Sequence, residues 1–381
     1  MSLLDYSKAF DLVKYDELFK ILLERNLCPM IIRLLLNIYM NSMYSVYWNG
    51  IFSDKFPISN GVKQGGVLSS ILFTLYMEPL INQIIISKQG CHIGDKCAAV
   101  FVYADDIILL TPTRGAMQNL LDIAGSYADN FGLKFNLDKC KLLIFSDRPF
   151  QFQPIYLSNV ALQHVHCEKH LGHMLSDKGD YIDFMKIITD LKAKANVLHR
   201  EFYFLDWKSK SKLFNANCTS FYGCQLINLS SAQINKICTA WRMGVKCLLD
   251  LDIRTHSVLL PHVIGSSTAE QQIHSRIVSF IKAGLDHDSN TIAFFFKNCI
   301  FSSNSYICRN VHQILYKYDI SMNDFIQTPY KILNRRIKQV NYEYDWRISI
   351  IHELMLCRDN QMYCGLTGDK ISYMLQHVCT V

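Results

Sequence analysis

Between Tyr15 and Met40 the apolar residues fall at helical spacing twice. Leu18, Ile21 and Leu22 form one stripe, Ile31, Leu34, Leu35 and Ile38 a second, and Cys28-Pro29 separates them. The pattern predicts two helices, the second opening on proline. Tyr44 to Trp48 and Ile51 to Phe56 then flank Asn49-Gly50, a pair whose tolerance of positive φ predicts a tight hairpin. Ile71 to Ile86 predicts a long apolar helix, while Gly115 to Phe131 reads as an amphipathic one. Between those helices, Phe101 to Leu110 is strand-forming on both sides of Asp105-Asp106, which predicts a β-hairpin with two acids at or near its tip.

A turn from Gly132 to Lys141 leads into a predicted strand, Leu142-Leu143-Ile144-Phe145, and Met1 to Leu4 reads as a short strand ending at Asp5. Helices alternating with hairpins predict an α+β domain, an antiparallel sheet with helices packed on one face, ending near residue 180. Beyond it the strand signals fade. Residues 183–214 read as helical, with Lys186, Lys192, Lys194, Arg200, Lys208, Lys210 and Lys212 outnumbering the acids, and the chain to Val381 stays mostly helical.

Composition narrows the class. A chain of 381 residues suits two or three domains, and 50% hydrophobic against 19% charged residues excludes a disordered protein. No uncharged apolar run reaches the roughly 18 residues of a membrane span, and no signal peptide precedes Asp5, so no membrane association is expected. Fourteen cysteines in that setting predict reduced thiols and an intracellular protein, and a net charge of +6 leans toward polyanionic partners.

The candidate chemistry is carboxylate chemistry. Asp5 and Asp105 lie at the ends of predicted strands, and if those strands are neighbours two or three carboxylates converge. Like charges that close repel unless a cation compensates them, and Mg²⁺ takes such hard oxygen ligands alongside substrate phosphates. Gly61-Val62-Lys63-Gln64-Gly65-Gly66-Val67-Leu68-Ser69-Ser70 adds a glycine-rich approach to a helix. His164, His166, Cys167, His170 and His173 are dense, but their spacing matches no standard zinc pattern. Cys357, Cys364 and Cys379 read as core or incidental thiols.

Together these stretches resemble a known family. Asp5…Phe10-Asp11, Gly61 to Ser69, Tyr103-Ala104-Asp105-Asp106 and Gly132-Leu133…Asn136…Lys139 are similar, in order and spacing, to reverse transcriptase motifs A, B, C and D. Their wording is that of non-LTR (LINE-type) retrotransposons. His170-Leu171-Gly172 with Asp177-Lys178-Gly179 looks like the motif E hairpin, the primer grip. The resemblance implies a palm over residues 1–180, a helical thumb over 181–260 and a helical extension over 261–381. It implies RNA-directed DNA synthesis from an RNA template, a DNA primer and dNTPs. Asp5, Asp105 and Asp106 would bind two Mg²⁺ ions, with Mn²⁺ as a substitute. Lys139 would protonate the leaving pyrophosphate, and Phe10 would gate the sugar 2′ position. Gln64, Gly65 and Gly66 would lie against the nucleotide, and Tyr103 and Ala104 would face the substrate and the primer end.

The likeness starts at motif A, without the fingers or endonuclease that the family places upstream. That predicts a truncated element copy or a partial gene model. The alternative expectation is a catalytically inactive remnant that at most binds nucleic acid.

Overall fold

The structure is a computed structural model that describes residues 1–146, 153–178, 184–226, 230–255, 257 and 260–339. Gly179, Cys357, Cys364, Cys379 and the predicted helical run past residue 339 lie outside these. The chain divides into two units, Met1–Tyr181 and Ile182–Val381.

The first unit is built on a five-stranded sheet. Its strands are β1 (Ser2–Asp5), β2 (Val100–Tyr103), β3 (Asp106–Leu109), β4 (Lys141–Leu142) and β5 (Gln163–His164), in spatial order β5-β4-β1-β3-β2. β1 is central because it pairs antiparallel on both sides, Ser2 with Leu142 and Leu109, Leu4 with Ile107, Asp5 with Asp106. The sheet is not wholly antiparallel, since β4 and β5 run parallel. The chain between them makes its own hairpin, Tyr156–Leu157 against Val160–Ala161, and so returns in the same direction. The strand expected over 142–145 is confined to Lys141–Leu142, although Leu143 still exchanges backbone hydrogen bonds with Met1, both at 2.9 Å.

Strand alternation sorts the two faces. Leu4, Ile107 and Leu109 point into the core, joined by partly buried Val100 and Val102. Helices α1 (Tyr15–Glu24), α2 (Pro29–Met40), α3 (Ser69–Ser87) and α4 (Arg114–Phe131) supply the rest of that core. α1 and α2 fall on the predicted stripes, with Pro29 at the start of the second helix. α3 is long and apolar enough by composition to cross a membrane, yet Leu72, Phe73, Tyr76, Met77, Leu80 and Ile84 are buried in this core. The Tyr76 hydroxyl donates to the Phe131 carbonyl at 2.7 Å, tying α3 to the end of α4. The Asn49-Gly50 hairpin forms as expected, with φ of 46° and 86°, the two positive values of a type I′ turn.

The second unit is helical throughout its described residues, from Phe184–Glu201 to Tyr330–Gln339. One hydrophobic core runs from Ile187 to Ile337, so residues on both sides of position 260 share it. Its helices are capped by their own sequence. Ser230 with Gln233 and Thr268 with Gln271 form reciprocal capping boxes, and Asp206 accepts from the Lys208 and Ser209 amides.

Candidate active site

The two acidic stretches meet because β1 and β3 are neighbours. Asp5 stands directly opposite Asp106, and Tyr103 opposite Asp106 on the other side. Directly opposed residues share a face, and Ile107 and Leu109 occupy the core face, so Asp5, Asp106 and Tyr103 lie on the face turned away from the helices. Asp105 follows Ala104 in the two-residue turn between β2 and β3. Ala104 has φ of +54°, the left-handed value that a type II′ hairpin places at its first central residue. A non-glycine residue held there is a locally costly conformation, one that the pairing on both sides of the turn keeps in place.

The Gly132–Cys140 loop closes over Asp5. The Asn136 amide donates to the Asp5 carbonyl at 2.8 Å, the Ser7 amide to the Lys134 carbonyl at 2.7 Å, and the Tyr6 ring stacks on Phe135 at 4.5 Å. Lys139 is thereby delivered to the carboxylates, its Nζ 3.4 Å from Asp5 Oδ2. Cys140 lies buried behind them, its Sγ 3.5 Å from the Asp5 amide nitrogen, with its thiol pushed up to about 11 by burial.

The segment expected to be the primer grip also forms a hairpin. Cys167–His170 pairs with His173–Ser176 around Leu171 and Gly172, at φ of 47° and 82°. His170 reaches the carboxylates electrostatically. Burial raises the Asp106 carboxyl above the ordinary range, the positive field of His170 opposes that, Asp105 and Asp5 add to it, and Lys139 opposes it. The structure thus brings Asp5, Asp105, Asp106, Lys139 and His170 into one neighbourhood.

Phe10 and Gln64 form a second group. Phe10 lies in the short 3₁₀ helix Ala9–Leu12 and stacks on Phe73 of α3, ring centroids 4.8 Å apart. Gln64 donates from Nε2 to Asp11 Oδ1 at 3.2 Å. The tight backbone approach in the glycine-rich loop falls at Gly61, whose Cβ would lie 3.0 Å from Asp11 Cα. Gly65, at φ of +77°, faces open space, and Gly66 is hemmed in by the Ser69 hydroxyl and the Lys63 carbonyl. The sequence alone assigns no part to Asp11 or to Cys140. Spacing carries no signal for Asp11 with Gln64, since the bond closes 53 residues of intervening chain.

Among the described residues no three His, Cys, Asp or Glu side chains converge as a metal-binding set. His166 instead donates to Asp177 at 2.6 Å across its hairpin and holds that carboxyl low. Asp5 and Asp106 form a two-carboxylate pair beside Asp105, and Lys139 supplies the counter-charge. That donor set suits a hard divalent cation held by one or two carboxylates plus substrate phosphates rather than by an all-protein cage.

The family model "Reverse transcriptase (RNA-dependent DNA polymerase)" matches residues 1–175. Residues 1–175 are a reverse transcriptase domain. Its relatives are polymerases of non-LTR retrotransposons. The domain is 33% identical over 148 residues to the Pol polyprotein from type-2 retrotransposable element R2DM of Drosophila melanogaster, covering 39% of this chain and 14% of that protein. The RNA-directed DNA polymerase from mobile element jockey of the same species is 24% identical over 252 residues, covering 61% of this chain and 26% of that protein. A type-1 element R2 Pol polyprotein from Popillia japonica is 26% identical over 138 residues, covering 36% and 23%. The chain therefore spans about a quarter or less of the length of these relatives.

Proposed function

We propose that the chain is an RNA-directed DNA polymerase acting inside the cell, with residues 1–180 as palm, 181–260 as thumb and 261–381 as a helical extension. The observation that carries this is Asp5 facing Asp106 on the open sheet face, beside the Ala104-Asp105 turn. Asp5, Asp105 and Asp106 would hold two Mg²⁺ ions, which supply Lewis-acid stabilisation to the attacking 3′-hydroxyl and the leaving pyrophosphate. Lys139 Nζ, already on the Asp5 carboxylate, is placed to give the departing pyrophosphate a proton. The Phe10 ring, backed by Phe73, excludes a sugar 2′-hydroxyl by contact. Tyr103, 67% exposed, and Ala104 face the primer end, which the His170-Leu171-Gly172 turn steadies. Partners are an RNA template, a DNA primer and dNTPs. The described cysteines are all free, in keeping with a reducing compartment.

The test is primer extension by the purified chain on an RNA template with dNTPs and Mg²⁺. Asp105→Asn is expected to lower extension by about a hundredfold or more while leaving template–primer binding in place. Extension that survives the substitution removes the metal-ligand role. Salt-dependent binding with no extension by the unaltered chain favours the second reading, a non-catalytic nucleic-acid-binding remnant.

A further inference from the structure

The chemistry above leaves Asp11 unused, although it sits between the two residues assigned to the nucleotide. We propose that Asp11 is a positioning residue that fixes the orientation of the Gln64 amide and so tunes binding of the incoming nucleotide. The inference rests on the polymerase reading of the same site.

A carboxylate only accepts hydrogen bonds, so the amide that meets Asp11 Oδ1 at 3.2 Å must turn its NH₂ toward it. Oε1 and the second Nε2 proton are then left for a ligand, with Oε1 fixed on the side where it can accept from a donor such as a sugar hydroxyl. Without Asp11 both groups compete for that direction, and an exposed glutamine samples several rotamers.

The backbones carrying the two residues are already joined. The Gly61 amide donates to the Val13 carbonyl and the Val62 amide to the Phe10 carbonyl, each at 2.8 Å. Gly61 has φ of +92°, and its Cβ would stand 3.0 Å from both Asp11 Cα and the Asp11 carbonyl oxygen. Only glycine lets the loop lie this close. Asp11, Phe10 and the root of the Gln64 loop therefore move as one body. The side-chain bond extends that fixed geometry to the amide.

The experiment is steady-state primer extension by the full chain with varied dNTP, comparing Asp11→Leu, Asp11→Asn, Gln64→Ala and the double variant Asp11→Leu/Gln64→Ala. Leu removes the acceptor, and kcat/KM for dNTP is expected to fall about tenfold, mainly through KM. Asn keeps an Oδ1 acceptor for Nε2, so that variant should remain within about threefold of the unaltered chain. In the Gln64→Ala background Asp11→Leu should change nothing further, because its effect runs through an amide already removed. Additive losses in the double variant, or an Asn variant as impaired as Leu, overturn the inference and leave the polymerase assignment standing. An unaltered chain that extends no primer overturns that assignment, and the positioning role falls with it.

Discussion

In the unit Met1–Tyr181 the large apolar side chains left on the surface are densest in one stretch, from Met30 through Trp48, Ile51 and Phe52 to Val67 and Ile71. In the unit Ile182–Val381 they are scattered, as at Tyr203, Ile253 and Tyr316. The difference follows how each unit is held together. The helical unit closes its apolar stripes on one another and starts several helices with local side-chain caps. The sheet-containing unit depends on pairings such as Asp5 with Asp106, about a hundred residues apart in sequence, and α1, α2 and α3 begin without a side-chain cap. A locally determined body and a long-range one should therefore fail under different insults.

Acid is the sharpest such insult for the helical unit. His274 donates to or accepts from the Tyr318 hydroxyl at 2.9 Å in a buried pair, and burial holds its pKa down at about 4. The unfolded chain takes up that proton first, near 6.5. Stability is thus complete above that pH and is lost as pH falls toward about 4, by up to about 3 kcal/mol. Urea unfolding at neutral and acid pH, followed by Trp207 and Trp241, should show this loss, and His274→Gln should flatten it. The sheet-containing unit has a steric counterpart. Gly61→Ala puts a Cβ against Asp11 at positive φ and should cost that unit about 2 kcal/mol. Hydrogen exchange should rise in peptides from residues 5–14 and 60–66 while the helical unit keeps its protection.

Smaller changes sharpen the contrast. Ser230→Ala removes one capping box and should destabilise the helical unit by about 1 kcal/mol, seen as a lower urea midpoint with the other unit unmoved. Trp48→Ser with Phe52→Ser should alter stability by no more than about 0.5 kcal/mol, since both are largely exposed. It should still reduce self-association in light scattering, because it breaks up the apolar surface.

What the sequence could disclose divides along similar lines. Periodicity located α1 and α2 and the break at Cys28-Pro29, and Asn49-Gly50 and Asp105-Asp106 each disclosed a hairpin, because those signals are local. The convergence of Asp5 with Asp106 was legible through the order of the motifs. The parallel pairing of Lys141–Leu142 with Gln163–His164 was not, since a two-residue strand leaves no alternation to read. Nor was the ion pair of Lys139 with Asp5, the bond from Gln64 to Asp11 or the stacking of Phe10 on Phe73. Each depends on how a loop lies across a distant element, and residue type alone does not specify that.

Cys140 carries one last consequence. Its sulfur is sealed at 0% exposure between the floor of the carboxylate site and the apolar core. A maleimide can reach it only while β1 and the loop ending at Cys140 have parted, so the alkylation rate of this single thiol is a clock for how often the floor under the carboxylates comes open.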